Sequence, residues 1–193
     1  MQSTPKFVSA IGALVLVSAL SGCAIATGGS SNETNRYPSF GLEEARPVDI
    51  AVLPIRDKTG GAVPARTLRN ELYLGLVEKL YSPISLNYVD VNWVEAKFDS
   101  STLEADGVLQ VTVEEWDTSL LTTNGALNVV LQVEILSGSQ PGGKPLWGSR
   151  MKRRLELIQG STTPSREVLF EKAAKLAAAE ILALIPSRAA LTR

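Results

Sequence analysis

Apolar and polar residues alternate along three segments in the second half of the chain, starting at Val108, Leu127 and Trp147. Alternation with a period of two residues is typical of antiparallel strands that have one face on a core and one face in water. Turn-like connections separate the segments, and Asn124-Gly125 is the sharpest of these turn signals. The pattern therefore predicts a three-stranded antiparallel meander.

Two other segments have helical spacing. Leu68, Leu72, Leu76 and Leu80 recur every four residues, which predicts an amphipathic helix of about 16 residues that begins at Pro64 and ends before Pro83. A second apolar stripe predicts a final helix with Thr163 as N-cap and Pro164 in its first position, ended by Pro186. That stripe comprises Phe170, Ala174, Ala177, Ile181, Leu184 and Ile185.

The segment that precedes the meander predicts shorter elements. Residues 48–55 are mostly apolar and branched, as expected of a buried strand, and Leu86–Val91 predicts a second short strand. Asn92–Phe98 predicts a helical turn, with Trp93 and Phe98 as core anchors. The order strand, helix, strand, short helix, meander, helix predicts an α+β fold with a mixed sheet and helices packed on one face.

The amino terminus has the features of a secretory signal peptide. Lys6 precedes an apolar run of about 14 residues, Phe7–Leu20, whereas a membrane-spanning helix needs roughly 20. The run ends in Leu20-Ser21-Gly22-Cys23, which resembles a bacterial lipobox. That resemblance implies cleavage between Gly22 and Cys23 and a diacylglycerol on Cys23. An ordinary cleaved signal with a coincidental cysteine is the alternative.

The lipobox resemblance also implies a location. Ala24 follows the cysteine, where an aspartate often retains lipoproteins in the inner membrane, so we expect the periplasmic face of the outer membrane. Residues 1–22 would be the signal peptide, 23–46 a lipidated flexible tether rich in Gly, Ser and Asn, 47–186 the folded domain and 187–193 a tail. A terminus with no other role is equally compatible with residues 24–46.

Composition excludes several kinds of chemistry. The 193 residues include no histidine and one cysteine, and the net charge is −1. A balanced charge argues against nucleic acid as a partner. The absence of histidine, with the single cysteine lipidated, argues against triads, thiol catalysis and zinc sites. We therefore expect no enzyme, no metal and no cofactor apart from the covalent lipid.

The loop Asp57-Lys58-Thr59-Gly60 reproduces the core of the P-type ATPase phosphorylation motif. The chain is several-fold too short for that family, and aspartate, threonine and glycine each favour turns for separate reasons. Thr59-Gly60-Gly61 also lacks the spaced glycines and the Lys-Ser/Thr of a phosphate-binding loop. The sequence therefore predicts a turn here.

Charged residues cluster on the polar side of the meander. Glu114, Glu115 and Asp117 lie in its first strand, and alternation predicts that Glu114 and Glu115 point to opposite faces. This argues against a hydrolase with paired carboxylates, which is a further alternative. Cross-strand charge pairing is the economical interpretation. The functional interpretation is a partner-docking face, for which the candidate residues are Glu114, Arg150, Lys152 and Arg154.

Short motifs resemble those of a group of envelope proteins that includes PelC, LpoB, CsgG and the amino-terminal domain of TolB. Residues 50–60 resemble their first strand and loop, although Ile55 stands where many members carry Phe. Small neisserial-antigen-type lipoproteins share the pattern seen in residues 105–109 and in the pairs Glu115-Trp116 and Leu146-Trp147. No catalytic residue is implied for this chain.

The resemblance implies a scaffold or accessory subunit of an envelope export or assembly complex. Its partners would be the membrane, through the lipid anchor, other envelope proteins and further copies of the same chain. An LpoB-like activator of a peptidoglycan synthase is the alternative. A tether of about 24 residues would reach only some 25–30 Å as a random coil, which disfavours that alternative.

Overall fold

The computed structural model describes residues 32–37, 41–61, 63–93, 103–138, 143–157 and 164–191. Its strands are β1 (Glu33–Tyr37), β2 (Asp49–Val52), β3 (Arg56–Asp57), β4 (Ser82–Pro83), β5 (Gly107–Asp117), β6 (Ala126–Ser137) and β7 (Pro145–Glu156). Its helices are α1 (Leu42–Ala45), α2 (Ala65–Glu78), α3 (Leu86–Asn92), α4 (Leu121–Asn124), α5 (Arg166–Leu184) and α6 (Arg188–Leu191).

The strands form one open, mixed sheet of seven strands, in the order β1-β7-β6-β5-β2-β4, with β3 also paired to β5. β5, β6 and β7 are the predicted antiparallel meander. β2 pairs in parallel with β4 and β5, and β1 pairs antiparallel with the outer side of β7. The predicted α+β fold with a mixed sheet and packed helices is confirmed.

The main core lies between one face of the sheet and the pair α2 and α5. The predicted leucines Leu68, Leu72 and Leu76 are fully buried in it. The two helices approach closely because one carries Gly75 where a Cβ would lie 2.0 Å from Leu182 Cδ1 of the other. Alternate strand residues complete this core, which explains why the period-two pattern located the meander correctly.

A smaller cluster occupies the other face at the parallel end of the sheet. Ala51, Leu53, Val108 and Leu136 alternate in sequence with main-core residues and pack with Val89 of α3. Trp93 is half-buried against this cluster, as its predicted role as an anchor requires. Phe98 lies outside the described residues. α3 thus covers the face opposite α2 and α5.

Two predicted elements are corrected. The prediction of a strand at Leu86–Val91 is wrong, since these residues form α3. Leu86, Val89 and Trp93 are spaced by three and four residues, which places them on one side of a helix. The strand was predicted because periodicity alone does not distinguish a short apolar helix from a strand. The predicted tether also includes a strand, because β1 pairs its five residues with β7.

The helix ends differ slightly from those predicted. α2 ends at Glu78 in a Schellman turn, in which Tyr81 N–H donates to Leu76 O at 3.0 Å and Leu80 N–H to Val77 O at 2.9 Å. Leu80 has a positive φ of 67°. The N-cap of α5 is Ser165, whose hydroxyl accepts from Val168 N–H at 3.4 Å.

Candidate functional site

The face of the meander opposite α2 and α5 brings the predicted charged residues together in rows. Strand register places residues of β5, β6 and β7 side by side, and alternation puts every second residue on the same face. One row is Glu115, Val130 and Lys152, and the next is Asp117, Asn128 and Arg154. We call this surface, with Glu114, Gln132 and Arg150, the polar sheet face.

A β-bulge in β5 corrects the predicted orientation of Glu114 and Glu115. Val113 pairs with Leu131 and Glu115 pairs with Val130, so Glu114 is an extra residue. Two residues of a bulged strand then oppose one residue of the partner strand. Both glutamates consequently belong to the polar sheet face, and the prediction that they point to opposite faces is wrong.

The charges on this face are paired partly within the molecule. The Glu114 carboxylate accepts a hydrogen bond from Arg150 Nε at 2.8 Å across β6. Arg154 Nε donates to Glu156 at 2.7 Å within β7. The backbone N–H of Ser119 donates to the Asp117 carboxylate at 2.9 Å and lowers the pKa of that group. The predicted cross-strand charge pairing is therefore observed at Glu114 and Arg150.

The middle residue of the basic run Lys152-Arg153-Arg154 belongs to the other face. Arg153 Nε donates to Glu180 of α5 at 2.8 Å, and its guanidinium also donates to Thr34 Oγ1 of β1 at 2.6 Å. Arg153 therefore joins β1, β7 and α5. The two flanking cations, Lys152 and Arg154, remain on the polar sheet face.

The sequence did not reveal a second polar cluster at the carboxyl end of β2. Arg69 of α2 donates through Nε and Nη2 to Val52 O at 3.0 and 2.8 Å, and through Nη1 to Asp90 of α3 at 2.5 Å. A cleft of about 400 Å³ lies beside it, lined by Pro54 and Arg66 among others. Arg69 immediately follows the core residue Leu68, and nothing in the helical pattern distinguishes it from a solvated cation.

Two motifs from the sequence have structural explanations. Asp57 Oδ1 accepts from the N–H and the hydroxyl of Thr59, both at 2.7 Å, and Gly60 has φ 63°, which confirms the predicted turn. The Asp106 carboxylate accepts from Val48 N–H at 2.9 Å and Asp49 N–H at 3.1 Å. The Asp106 carboxylate thus holds the backbone at the start of β2.

Three further features concern the lipid anchor, membrane spans and metal binding. Gly22 and Cys23 lie outside the described residues. Among the residues that are described, no helix has the length and apolar character needed to cross a membrane. The same part of the chain contains no cluster of three or more acidic, histidine or cysteine side chains suited to a metal ion.

Comparison with known proteins shows the fold. No family model and no curated protein matches this chain. A PelC dodecamer from Paraburkholderia phytofirmans matches 79% of this chain and 96% of its own, with 18% identity and a TM-score of 0.52. Lipoprotein GNA1162 from Neisseria meningitidis matches 70% of this chain and 99% of its own, with 18% identity and a TM-score of 0.48. The PelC match shows that this chain has a PelC-like fold.

Proposed function

We propose that this chain is a non-enzymatic lipoprotein on the periplasmic face of the outer membrane. Its domain would be a scaffold or accessory subunit of an envelope export or assembly complex. The observation that carries the proposal is Leu20-Ser21-Gly22-Cys23 at the end of a short apolar run, upstream of an α+β domain. The shared fold with PelC, which is described as a dodecamer, supports an assembling role.

The position of β1 supports a scaffold close to the membrane. β1 begins at Glu33, so only nine residues, 24–32, separate the lipidated cysteine from the sheet. Even a fully extended chain covers at most about 3.6 Å per residue, or roughly 35 Å here. This distance is short for an activator that must cross the cell wall, and it suits a subunit that assembles beside its own membrane.

The lipid anchor is tested by metabolic labelling with an alkyne fatty acid. We expect label on the wild-type chain and outer-membrane fractionation on a density gradient. Cys23→Ala should lose the label and leave that fraction, whereas the control Ala24→Ser should keep both. An unlabelled wild-type chain, or a Cys23→Ala chain still in the outer membrane, would refute the anchor.

The scaffold role is tested separately by crosslinking in intact envelopes. We expect the wild-type chain to form defined crosslinked species with itself or with other envelope proteins. Native mass spectrometry of the detergent-extracted chain should give a mass above that of one copy. A strictly monomeric chain without an envelope partner would contradict the scaffold role.

A further inference from the structure

The edge of the sheet formed by β2 and β3 is covered along most of its length. β4 pairs with the first half of β2, where Ser82 N–H donates to Val48 O at 2.9 Å. Farther along the same edge, the Arg69 guanidinium binds Val52 O in place of a neighbouring strand. Among the strands that the structure describes, β3 pairs with β5 alone. The part of the edge at β3 is therefore open.

The backbone of β3 directs polar groups towards this open side. Lys58 N–H donates to Val113 O of β5 at 3.0 Å, so the backbone groups of Arg56 and Lys58 face β5. Successive residues of a strand direct these groups to opposite sides. Those of Ile55 and Asp57 consequently point away from β5, where no described residue pairs with them. We call this side of residues 55–57 the open edge, and such an edge can pair with another extended chain.

The open edge has room beside it, because two clefts adjoin there. One, of about 520 Å³, is lined by residues 54–58 and Trp93. The other, of about 400 Å³, is lined by residues of α2 and α3 together with Pro54 and Ile55, which also line the first. Alternate side chains of an added strand point to opposite faces of the sheet. One set would enter the cleft beside α2 and the other would contact Trp93.

The charges around the two clefts favour an acidic chain. Four cations and two acids line them, for a net formal charge of +2: Arg56, Lys58, Arg66, Arg69, Asp57 and Asp90. Asp90 is bound by Arg69, and the Asp57 carboxylate accepts from Thr59. Within the described part of the chain, Arg56, Lys58 and Arg66 take part in no ion pair. Unpaired cations on an edge strand deter basic partners and select acidic ones.

We propose that the open edge binds an extended, acidic peptide segment of a partner protein, which adds to the sheet as a strand. The inference deepens the proposed accessory role, on which the existence of a protein partner rests, by naming the surface and the chemistry of the contact. Residues 55–57 extend only about 10 Å, so few backbone hydrogen bonds form. The cations add selectivity, and binding weakens as salt rises.

Fluorescence polarisation with the full chain in mild detergent tests the proposal. The probe is a fluorescein-labelled octapeptide of alternating glutamate and valine, and the charge control replaces each glutamate with lysine. We expect the acidic peptide to bind about ten-fold more tightly or better. N-methylation of its four central residues removes backbone donors and keeps every charge, and it should weaken binding by about ten-fold.

Charge reversal on the chain tests the cations. Lys58→Glu and Arg66→Glu, both at exposed positions, should each weaken binding of the acidic peptide by about five-fold or more. Lys144→Glu makes the same change of charge at an exposed position just before β7. This control should bind the peptide like the wild type.

A matched pair of variants tests backbone pairing at the open edge itself. Asp57→Pro removes the outward N–H, and proline is tolerated on an edge strand where that N–H faces away from the sheet. Asp57→Ala loses the same carboxylate and keeps the N–H. Asp57→Pro should therefore bind the acidic peptide several-fold more weakly than Asp57→Ala. Urea unfolding checks that both variants fold, and the N-methylated peptide decides the question without any variant.

Several results would overturn the proposal. These are equal binding of the acidic and basic peptides, equal binding of the methylated and unmethylated acidic peptides, or no binding of the acidic peptide. A dimer seen by ultracentrifugation in the wild type and lost in Asp57→Pro would assign the edge to a second copy instead. Labelling of Cys23 and crosslinking in envelopes do not depend on these measurements, so the proposed function and the peptide site can fail separately.

Discussion

Arg69 should contribute more to stability than any surface ion pair of the domain. Its side chain is 11% exposed, and its guanidinium binds Val52 O of β2 twice and Asp90 of α3 once. Replacing it by methionine keeps most of the apolar stem and removes all three interactions. The substitution therefore separates the polar contribution of Arg69 from its packing.

The expected loss in the free energy of unfolding follows from the burial of the Arg69 side chain. A hydrogen bond from a charged group contributes about 1.5–3 kcal/mol net, and losing a buried partner costs about 1–3 kcal/mol. The two bonds to Val52 share one acceptor and do not add fully, so Arg69→Met should lower the free energy of unfolding by about 3 kcal/mol. Asp90 is 52% exposed, so Asp90→Ala should cost at most about 1 kcal/mol.

Urea unfolding followed by circular dichroism measures both effects. Arg66→Met, at an exposed position of the same helix, is the control and should stay within about 0.5 kcal/mol of the wild type. The denaturant slope should not change, because the native fold is kept. A cost below about 1 kcal/mol for Arg69→Met, or an equal cost for Asp90→Ala, would refute this reasoning.

Three further predictions concern backbone strain and burial. Leu80 has a φ of 67° and is 60% exposed; Leu80→Gly should raise the free energy of unfolding by about 0.5–1 kcal/mol in urea unfolding, whereas Leu80→Ala should bring no such gain. Gly138→Ala would place a Cβ 1.7 Å from Ala105 O, and a loss of about 3 kcal/mol is expected by the same assay; a loss below 1 kcal/mol would contradict the close approach. Burial raises the pKa of Tyr81 to about 12, so the stability from its protonated hydroxyl is complete below pH 10 and is lost as the pH rises towards 12. Unfolding at pH 8 and 11.5 should show wild type losing up to about 1.9 kcal/mol more than Tyr81→Phe, and equal losses would count against it.

The meander and the main helices could be predicted because burial alone determines their patterns. Every second residue of β6 must be apolar if one face packs under α2 and α5, and Val129, Leu131 and Val133 satisfy that requirement. An exposed strand at the sheet edge does not need apolar residues at every second position. β1 is short, polar and largely exposed, so nothing in its composition distinguishes Glu33–Tyr37 from a tether.

The candidate site was only partly predictable, because the bulge in β5 changes the face of the residues that follow it. Glu114, Glu115 and Trp116 follow one another in the sequence, and no glycine or proline beside them marks an irregularity in the strand. The bulge at Glu114 nevertheless keeps Glu115 on the polar sheet face and returns Trp116 to the main core. Strict alternation would assign these two residues to the wrong faces. The third acid of the face, Asp117, follows the corrected register.

The motifs that resemble other envelope proteins are explained by folding, not by a shared activity. Asp106 binds the backbone at the start of β2, and a Cβ on Gly107 would lie 2.8 Å from Ile50 Cδ1. These residues join β5 to β2 and do not contribute to the polar sheet face. A fold hosts functions that depend on its surfaces. Asp106 and Gly107 therefore account for the resemblance through strand pairing, and the charges in rows across β5, β6 and β7 belong to a different surface of the chain.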